Sequence, residues 1–263
     1  MIALLVFLYG LVFGSFINVC AYRIPKKQSV LTPGSYCPHC KKPVKFYDNI
    51  PVLSYIILGG KCRYCQKPIS SRYLLVELAT GILFSATYLV LGLQWLLAPA
   101  LFLVFLLLII FLIDLDNQII PNGLVITGLI AGFIFLAGSF KVDIFPLIKT
   151  GLNPVLSSVG SGLSASGFLL AIAYLAELFL KKEAMGGGDI KLAAVLGMFL
   201  GPYVFLSLFL AFLVGAVVSV SLMSTGSVAK GQAVPFGPFM AVGAVLTIYF
   251  GPQIWHWYLS FLM

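Results

Sequence analysis

The sequence predicts an all-α, polytopic membrane protein with eight transmembrane helices and a small cytoplasmic zinc-binding loop domain. Two features of its composition lead to this prediction. Of the 263 residues, 61% are hydrophobic and only 9% are charged. A soluble domain has about 45–50% apolar and about 25% charged residues. A folded chain with so few charges could not cover its surface for water. The composition therefore excludes a soluble enzyme, a disordered chain and a secreted disulfide scaffold.

Stretches that contain no charged residue predict the individual helices. Six such stretches of 22 residues or more occur, at residues 1–22, 78–113, 117–140, 150–176, 192–229 and 231–263. One helix needs about 20 residues to cross the hydrocarbon core. The two longest stretches therefore suit two helices each, with breaks expected near residues 92–99 and at Gly201-Pro202. The first stretch ends at Arg23 without a small-residue cleavage pattern, so we interpret it as a retained span and not as a signal peptide.

The distribution of basic residues predicts the orientation in the membrane. Ten of the 16 Lys and Arg residues lie between Arg23 and Arg72, together with one acid, Asp48. Placing this loop in the cytoplasm and alternating eight spans puts 14 basic residues inside and only Lys141 and Lys149 outside. That asymmetry follows the positive-inside rule, which explains the charge without a nucleic-acid partner. We expect the loop charges to face lipid head groups.

Two C-x-x-C pairs in this loop predict a metal site. The pairs are Cys37-Pro-His-Cys40 and Cys62-Arg-Tyr-Cys65. Two such pairs can complete a tetrahedral set of thiolates around structural zinc, and the ion would supply folding energy that a short basic loop lacks. Disulfides or reduced thiols are the alternatives, and a cytoplasmic location argues against disulfides.

Three aspartates stand in otherwise apolar sequence at predicted helix ends. They are Asp114 and Asp116 after one span and Asp189 before another, directly after three glycines at 186–188. Ionisable residues at membrane depth are costly and indicate function. Two carboxylates that share a proton can hydrolyse a peptide bond, one as the base and the other as the acid. Asp189 could instead be a helix N-cap, and such acids also form proton pathways.

The chain resembles the type IV prepilin peptidase family of membrane aspartic proteases over nearly its whole length. Seven marks occur in order: residues 14–25 (GSFINVCAYRIP), the paired C-x-x-C, 48–55 (DNIPVLSY), 72–80 (RYLLVELAT), 113–121 (IDLDNQIIP), 186–192 (GGGDIKL) and 235–238 (PFGP). A G-x-G-D match alone would be weak, whereas seven ordered motifs are specific.

The resemblance implies roles for particular residues. Asp114 and Asp189 correspond to the family's catalytic aspartates, and Cys37, Cys40, Cys62 and Cys65 to its zinc ligands. Supporting roles would fall to four residues near the aspartates: Asp116, Gly186, Gly188 and Lys191. The spans and the cysteine loop divide the chain into a first transmembrane helix at 1–22, a cytoplasmic four-cysteine zinc-binding domain at 23–72 and a seven-helix membrane core at 73–263, which the resemblance makes the peptidase core.

The resemblance also implies the reaction and its location. The chain would lie in the bacterial inner (cytoplasmic) membrane and cleave type IV prepilin or pseudopilin precursors after a glycine, on the cytoplasmic side. Many members also N-methylate the new amino terminus with S-adenosylmethionine, although no cofactor fingerprint is visible here. A transporter that uses the aspartates as a proton path and a methyltransferase alone are the alternative functions. Glu77 and Glu177, within or at the edge of spans, are expected to pair with a basic residue or a backbone group.

Overall fold

A computed structural model describes residues 1–139, 153–181, 185–226 and 234–261. Within these residues the chain is helical and contains no strand beyond two isolated β-bridges, which confirms the all-α prediction. The helices are α1 (Ile2–Arg23), α2 (Leu53–Ile57), α3 (Ser71–Leu91), α4 (Leu97–Asn117), α5 (Asn122–Ser139), α6 (Ser161–Leu180), α7 (Gly187–Leu200), α8 (Val204–Ser224) and α9 (Gly237–Leu259).

Six helical segments of the described chain are long and apolar enough to cross a membrane. One of them, Gly187–Ser224, comprises α7 and α8, while the apolar α5 falls just below the length required. Multi-pass insertion is therefore supported, but the number eight stays a prediction. The basic residues Lys141, Lys149, Lys182 and Lys230, which contribute to the predicted orientation, lie outside the described residues.

Both predicted breaks between paired helices are confirmed. Helix α3 ends at Leu91, and Gly92 follows with a φ of 71°, a left-handed conformation that glycine adopts without steric cost. Helix α4 then begins at Leu97. The second break is a 3-10 turn, Gly201–Tyr203, which separates α7 from α8.

The chain divides into two compact units, Met1–Leu93 and Gln94–Met263. In the first unit α1 packs against α3 along small residues. A Cβ atom added at Gly14 would lie 2.6 Å from the Cα of Glu77, and one added at Gly10 would lie 2.7 Å from the Cα of Gly81. Glycine at these positions therefore lets the two helix backbones approach closely, as is common between membrane helices.

In the second unit α4 is the most buried of the candidate spans. Two thirds of its apolar segment is buried, against 17% for the segment Leu156–Phe179. Its neighbours are α5 and α9, and α7 packs against α5 and α6. Large aliphatic side chains such as Leu103, Ile110 and Leu196 are fully buried and make up the interior of this unit.

Candidate active site and metal centre

Asp114 lies in the last turn of α4, and its side chain is only 4% exposed. The helix ends at Asn117, and its C-cap Gln118 has a left-handed conformation and donates its backbone N–H to the Asp114 carbonyl. The Asp114 Oδ2 atom accepts a 3.0 Å hydrogen bond from the backbone N–H of Gly237. Since Gly237 is the first residue of α9, this N–H has no partner within that helix. The carboxylate therefore binds the amino-terminal end of α9.

Asp189 lies in the first turn of α7 and is 8% exposed. The N-cap of α7 is Gly186, whose extended backbone accepts a hydrogen bond from the Asp189 N–H at 3.1 Å. The alternative interpretation of Asp189 as a helix N-cap is therefore wrong. Asp189 is the third residue of the helix, so its backbone N–H is bonded at the start of α7 while its side chain is free to take part in a site.

Gly188, which precedes Asp189, and Gly237, which binds Asp114, both lie against the side chain of Ile120. A Cβ atom added at Gly188, next to Asp189, would lie 2.9 Å from the Ile120 Cβ. One added at Gly237 would lie 2.7 Å from the Asp114 Oδ2 and 3.3 Å from the Ile120 Cδ1. The charge of Asp114 also acts on Asp189. The carboxylates therefore share one buried neighbourhood, where both cannot easily ionise together.

Sequence reasoning missed Gly237 and Ile120. The segment 235–238 was identified only as a family mark, without a role. Its glycine is needed because a Cβ atom there would collide with a carboxylate oxygen. The signal available in the sequence was the Gly-Pro pair at the start of a span, but its partner is 123 residues away.

The predicted supporting residues occupy different environments. Asp116 is exposed, unlike Asp114, as expected for two residues that cannot share a helix face. Lys191 is also exposed, and its Nζ donates a 3.0 Å hydrogen bond to Asn122 Oδ1. This bond joins the amino-terminal ends of α7 and α5. A Cβ atom at Gly186 would make ordinary contact with Asp189 at 3.4 Å.

The four loop cysteines form a separate site in the first unit, which we call the four-cysteine cluster. The sulfur atoms of Cys37, Cys40, Cys62 and Cys65 all lie within 4.8 Å of one another. The Cys37–Cys65 sulfur distance is 3.9 Å and the Cys40–Cys62 distance is 4.0 Å. A tetrahedral zinc site with Zn–S bonds of about 2.3 Å requires sulfur atoms roughly 3.8 Å apart. The cluster therefore fits a metal ion, whereas disulfide bonds require about 2.05 Å.

Both halves of the four-cysteine cluster have the same local structure, a repeat that sequence reasoning missed. In the first half the Lys41 N–H bonds to the Cys37 carbonyl, and in the second the Gln66 N–H bonds to the Cys62 carbonyl. The residue after the second cysteine has a positive φ in each case. Backbone N–H groups of Cys65 and Tyr64 lower the pKa of the Cys62 thiol to about 6, which favours the thiolate that a metal binds.

Multi-pass helices, a four-cysteine cluster and two buried aspartates with a common neighbour are together the features of a membrane aspartic protease. Comparison with known proteins gives the particular family. A family model described as "Bacterial Peptidase A24 N-terminal domain" matches residues 8–91, and one described as "Type IV leader peptidase family" matches residues 100–220. The chain belongs to the type IV leader peptidase family.

Curated relatives whose similarity extends over most of this chain share one name, prepilin leader peptidase/N-methyltransferase. The protein from Aeromonas hydrophila is 34% identical over 97% of this chain and 93% of its own length. The protein from Bacillus subtilis is 33% identical over 97% of both chains. The protein from Myxococcus xanthus is 41% identical over 85% of this chain and 64% of its own. No solved structure matches the chain.

Proposed function

We propose that this protein is a membrane-embedded aspartic endopeptidase that removes the leader peptide of type IV prepilins and pseudopilins. It cuts after a glycine at the cytoplasmic face of the inner membrane and N-methylates the new amino terminus with S-adenosylmethionine. One observation carries the peptidase assignment: Asp114 and Asp189 come from distant parts of the chain, are both buried, and lie close enough for their charges to interact.

The proposed mechanism uses the two carboxylates as one unit. The ionised aspartate takes a proton from a water molecule, which attacks the scissile carbonyl carbon. The protonated aspartate donates to the carbonyl oxygen as the tetrahedral intermediate forms. Breakdown returns a proton to the leaving amine and releases the leader. The pair titrates as a unit, so the two roles are not assigned to individual residues.

The backbone contact of Asp114 supports this mechanism. The Gly237 N–H binds Oδ2 of the carboxylate and fixes its direction. In the proposed mechanism the other oxygen, Oδ1, faces the water or the substrate. Positioning of this kind keeps the reacting groups within hydrogen-bond reach and supplies part of the rate enhancement. Gly237 and Gly188 contribute by letting α9 and α7 approach Ile120 without a side chain in the way.

The proposed topology has eight spans: α1 and α3 to α9. Helix α7 is short, with 14 residues; it carries Asp189 in its first turn and is followed by α8 after a tight turn. Placing the basic loop between α1 and α3 in the cytoplasm puts Asp114 and Asp189 on the same side by alternation. A prepilin leader that lies in the cytoplasm would then reach them.

The four-cysteine cluster is proposed to bind structural zinc. Cys37, Cys40, Cys62 and Cys65 would hold the ion, which when bound stabilises the fold of the loop and supplies no catalysis. The loop has few buried apolar side chains, since Cys37 and Cys62 are its only buried hydrophobic residues between 24 and 70. The metal would therefore replace the apolar core that the loop lacks.

The peptidase assignment is tested with purified protein in lipid nanodiscs and a prepilin precursor. Mass spectrometry follows loss of the leader and gain of a methyl group. We expect Asp114→Asn and Asp189→Asn each to lower the cleavage rate by at least roughly 10³-fold, because each removes one half of an acid–base pair. Glu177→Gln is the control, since it neutralises an exposed acid of α6 that has no role in the predicted site. Cleavage at the wild-type rate by either of the first two variants would contradict the assignment.

A further inference from the structure

The first unit contains a cavity of about 460 Å³ that holds neither Asp114 nor Asp189. Its walls come from α1, α3, the segment 48–55 and the two cysteine turns. The volume lies within the roughly 300–1,000 Å³ of small-molecule binding sites. We call it the α1–α3 cavity.

Glu77 on α3 is a buried acid in the wall of the α1–α3 cavity, and the charged residues that also line this cavity are Arg23, Lys42, Asp48, Arg63 and Lys67. It is 7% exposed, its Oε2 accepts a 2.7 Å hydrogen bond from the backbone N–H of Val52, and the Ser15 side chain also bonds to the carboxylate. The expected pairing with a backbone group is therefore confirmed for this residue. Across the described ranges, however, no lysine or arginine forms an ion pair with Glu77. A buried carboxylate without a basic partner is costly, and a cationic ligand would relieve that cost.

The nearby arginine cannot be that partner in this arrangement. Arg23 also lines the cavity and is 7% exposed, but its guanidinium donates to the carbonyl oxygens of Ser29 and Gly34 at 3.0 and 3.1 Å. These bonds hold the chain that follows α1 in place, so the Arg23 guanidinium is already engaged with backbone carbonyl groups. The Glu77 charge therefore remains available to a molecule in the cavity.

Other groups in the wall suit a nucleoside. The amide nitrogen of Asn18 donates to the carbonyls of Gly14 and Tyr73, and its side-chain oxygen is a group that can accept from a ligand. The rings of Tyr55 and Tyr73 also line the cavity. Aromatic faces stack on purine rings and attract cations.

The segment 48–55 is fixed at several points around the cavity. Arg63 makes a bidentate ion pair with Asp48, at 2.8 and 2.6 Å, which joins this segment to the second cysteine turn. The guanidinium lowers the pKa of Asp48 below its usual value. Val52 has a φ of 64°, which is unusual for a β-branched residue, and the bond to Glu77 stabilises it there. This part of the cavity wall is therefore held in place by specific hydrogen bonds and an ion pair.

We infer that the α1–α3 cavity binds S-adenosylmethionine, with Glu77 facing the positive charge of the ligand. This inference rests on the proposed function, which requires a methyl donor. The ligand is a nucleoside with a sulfonium cation, and the cavity offers a buried carboxylate, an amide oxygen and aromatic rings. In the transfer, the amine lone pair of the new amino terminus attacks the methyl carbon, the carbon–sulfur bond breaks with its electron pair on sulfur, and the amine loses a proton to water.

The binding test uses the full-length, zinc-loaded protein in nanodiscs and isothermal titration with S-adenosylmethionine. Val19→Phe places a large side chain in the cavity wall and should weaken binding at least roughly tenfold. Val12→Phe is the matched control on the same helix, because Val12 is 58% exposed, and it should bind as the wild type does. Equal affinities of the two variants, or no binding by the wild type, would overturn the inference.

A second measurement isolates the role of charge. S-adenosylhomocysteine, the demethylated product, has a neutral sulfur. Glu77→Gln should weaken binding of S-adenosylmethionine roughly tenfold or more and that of S-adenosylhomocysteine much less, because only the first ligand places a cation against the carboxylate. Glu177→Gln, an exposed glutamate in α6, is the matched control. Equal losses for the two ligands would contradict the assignment of Glu77.

Failure of this inference can be told apart from failure of the proposed function. The variants Asp114→Asn and Asp189→Asn should lose cleavage and keep S-adenosylmethionine binding, because neither residue lines the cavity. Val19→Phe should still bind zinc and cleave a precursor, which also shows that it is folded. If Val19→Phe instead raised the KM for the precursor and left S-adenosylmethionine binding unchanged, the cavity would belong to the peptide substrate and the inference would be wrong.

Discussion

The contact between Gly237 and Asp114 gives the sharpest prediction for a residue with no reactive group. In Gly237→Ala the new Cβ atom would lie 2.7 Å from the Asp114 Oδ2, whereas ordinary contacts begin at 3.4 Å. The carboxylate or the start of α9 must therefore move by about 0.7 Å. Misplacement by about 1 Å can cost roughly 10²-fold in rate. We expect the kcat for prepilin cleavage to fall about 10- to 100-fold with little change in KM.

The matched control for this prediction is Gly187→Ala. It makes the same substitution two residues before Asp189, but its Cβ atom would meet nothing within 4 Å. We expect its rate to stay within about twofold of the wild type, since alanine is tolerated in helices better than glycine. Thermal unfolding of both variants checks that any loss of rate is not a loss of fold. A wild-type kcat for Gly237→Ala would refute the positioning of Asp114 by α9.

Two further substitutions test the metal site and the link between α7 and α5. Cys40→Ser should lower the bound zinc from about one ion per chain to almost none, as measured by elemental analysis, because a tetrahedral site loses one of its four thiolates. Cys20→Ser, a buried cysteine of α1 outside the cluster, should keep its zinc, and equal zinc in both variants would contradict the four-cysteine site. Lys191→Met removes the bond to Asn122 and should lower kcat no more than about fivefold, since an exposed hydrogen bond contributes about 1 kcal/mol or less. A loss as large as that of an aspartate variant would give Lys191 a direct part in the reaction.

Local patterns in the sequence predicted the features that depend on neighbouring residues. The helix breaks at Gly92 and Gly201 follow from the freedom of glycine to adopt a positive φ. The metal cluster follows from two C-x-x-C turns, because each turn brings two sulfur atoms together within four residues. Apolar stretches without charge predicted the helices, although the short α7 shows that their lengths do not follow a fixed span.

Contacts between distant segments could not be predicted in the same way. Spacing alone left open which of Asp114 and Asp116 faces inward, and the family resemblance supplied the assignment. Burial of Asp114 and exposure of Asp116 agree with it, because packing against α9 selects one face of α4. The α1–α3 cavity could not be predicted from the sequence either, since Glu77 and Val52 come into contact only after the loop between α1 and α3 has folded.

The central claim is that Asp114 and Asp189 act as one catalytic unit, and a double-mutant comparison tests it most directly. Single-turnover cleavage of a prepilin is measured for Asp114→Asn, Asp189→Asn and the variant with both changes. When two residues act as one unit, the first substitution already removes the rate enhancement that both provide. We therefore predict that the double variant cleaves about as slowly as the slower single variant. A double variant slower by the product of the two single losses would show independent contributions and would contradict the account.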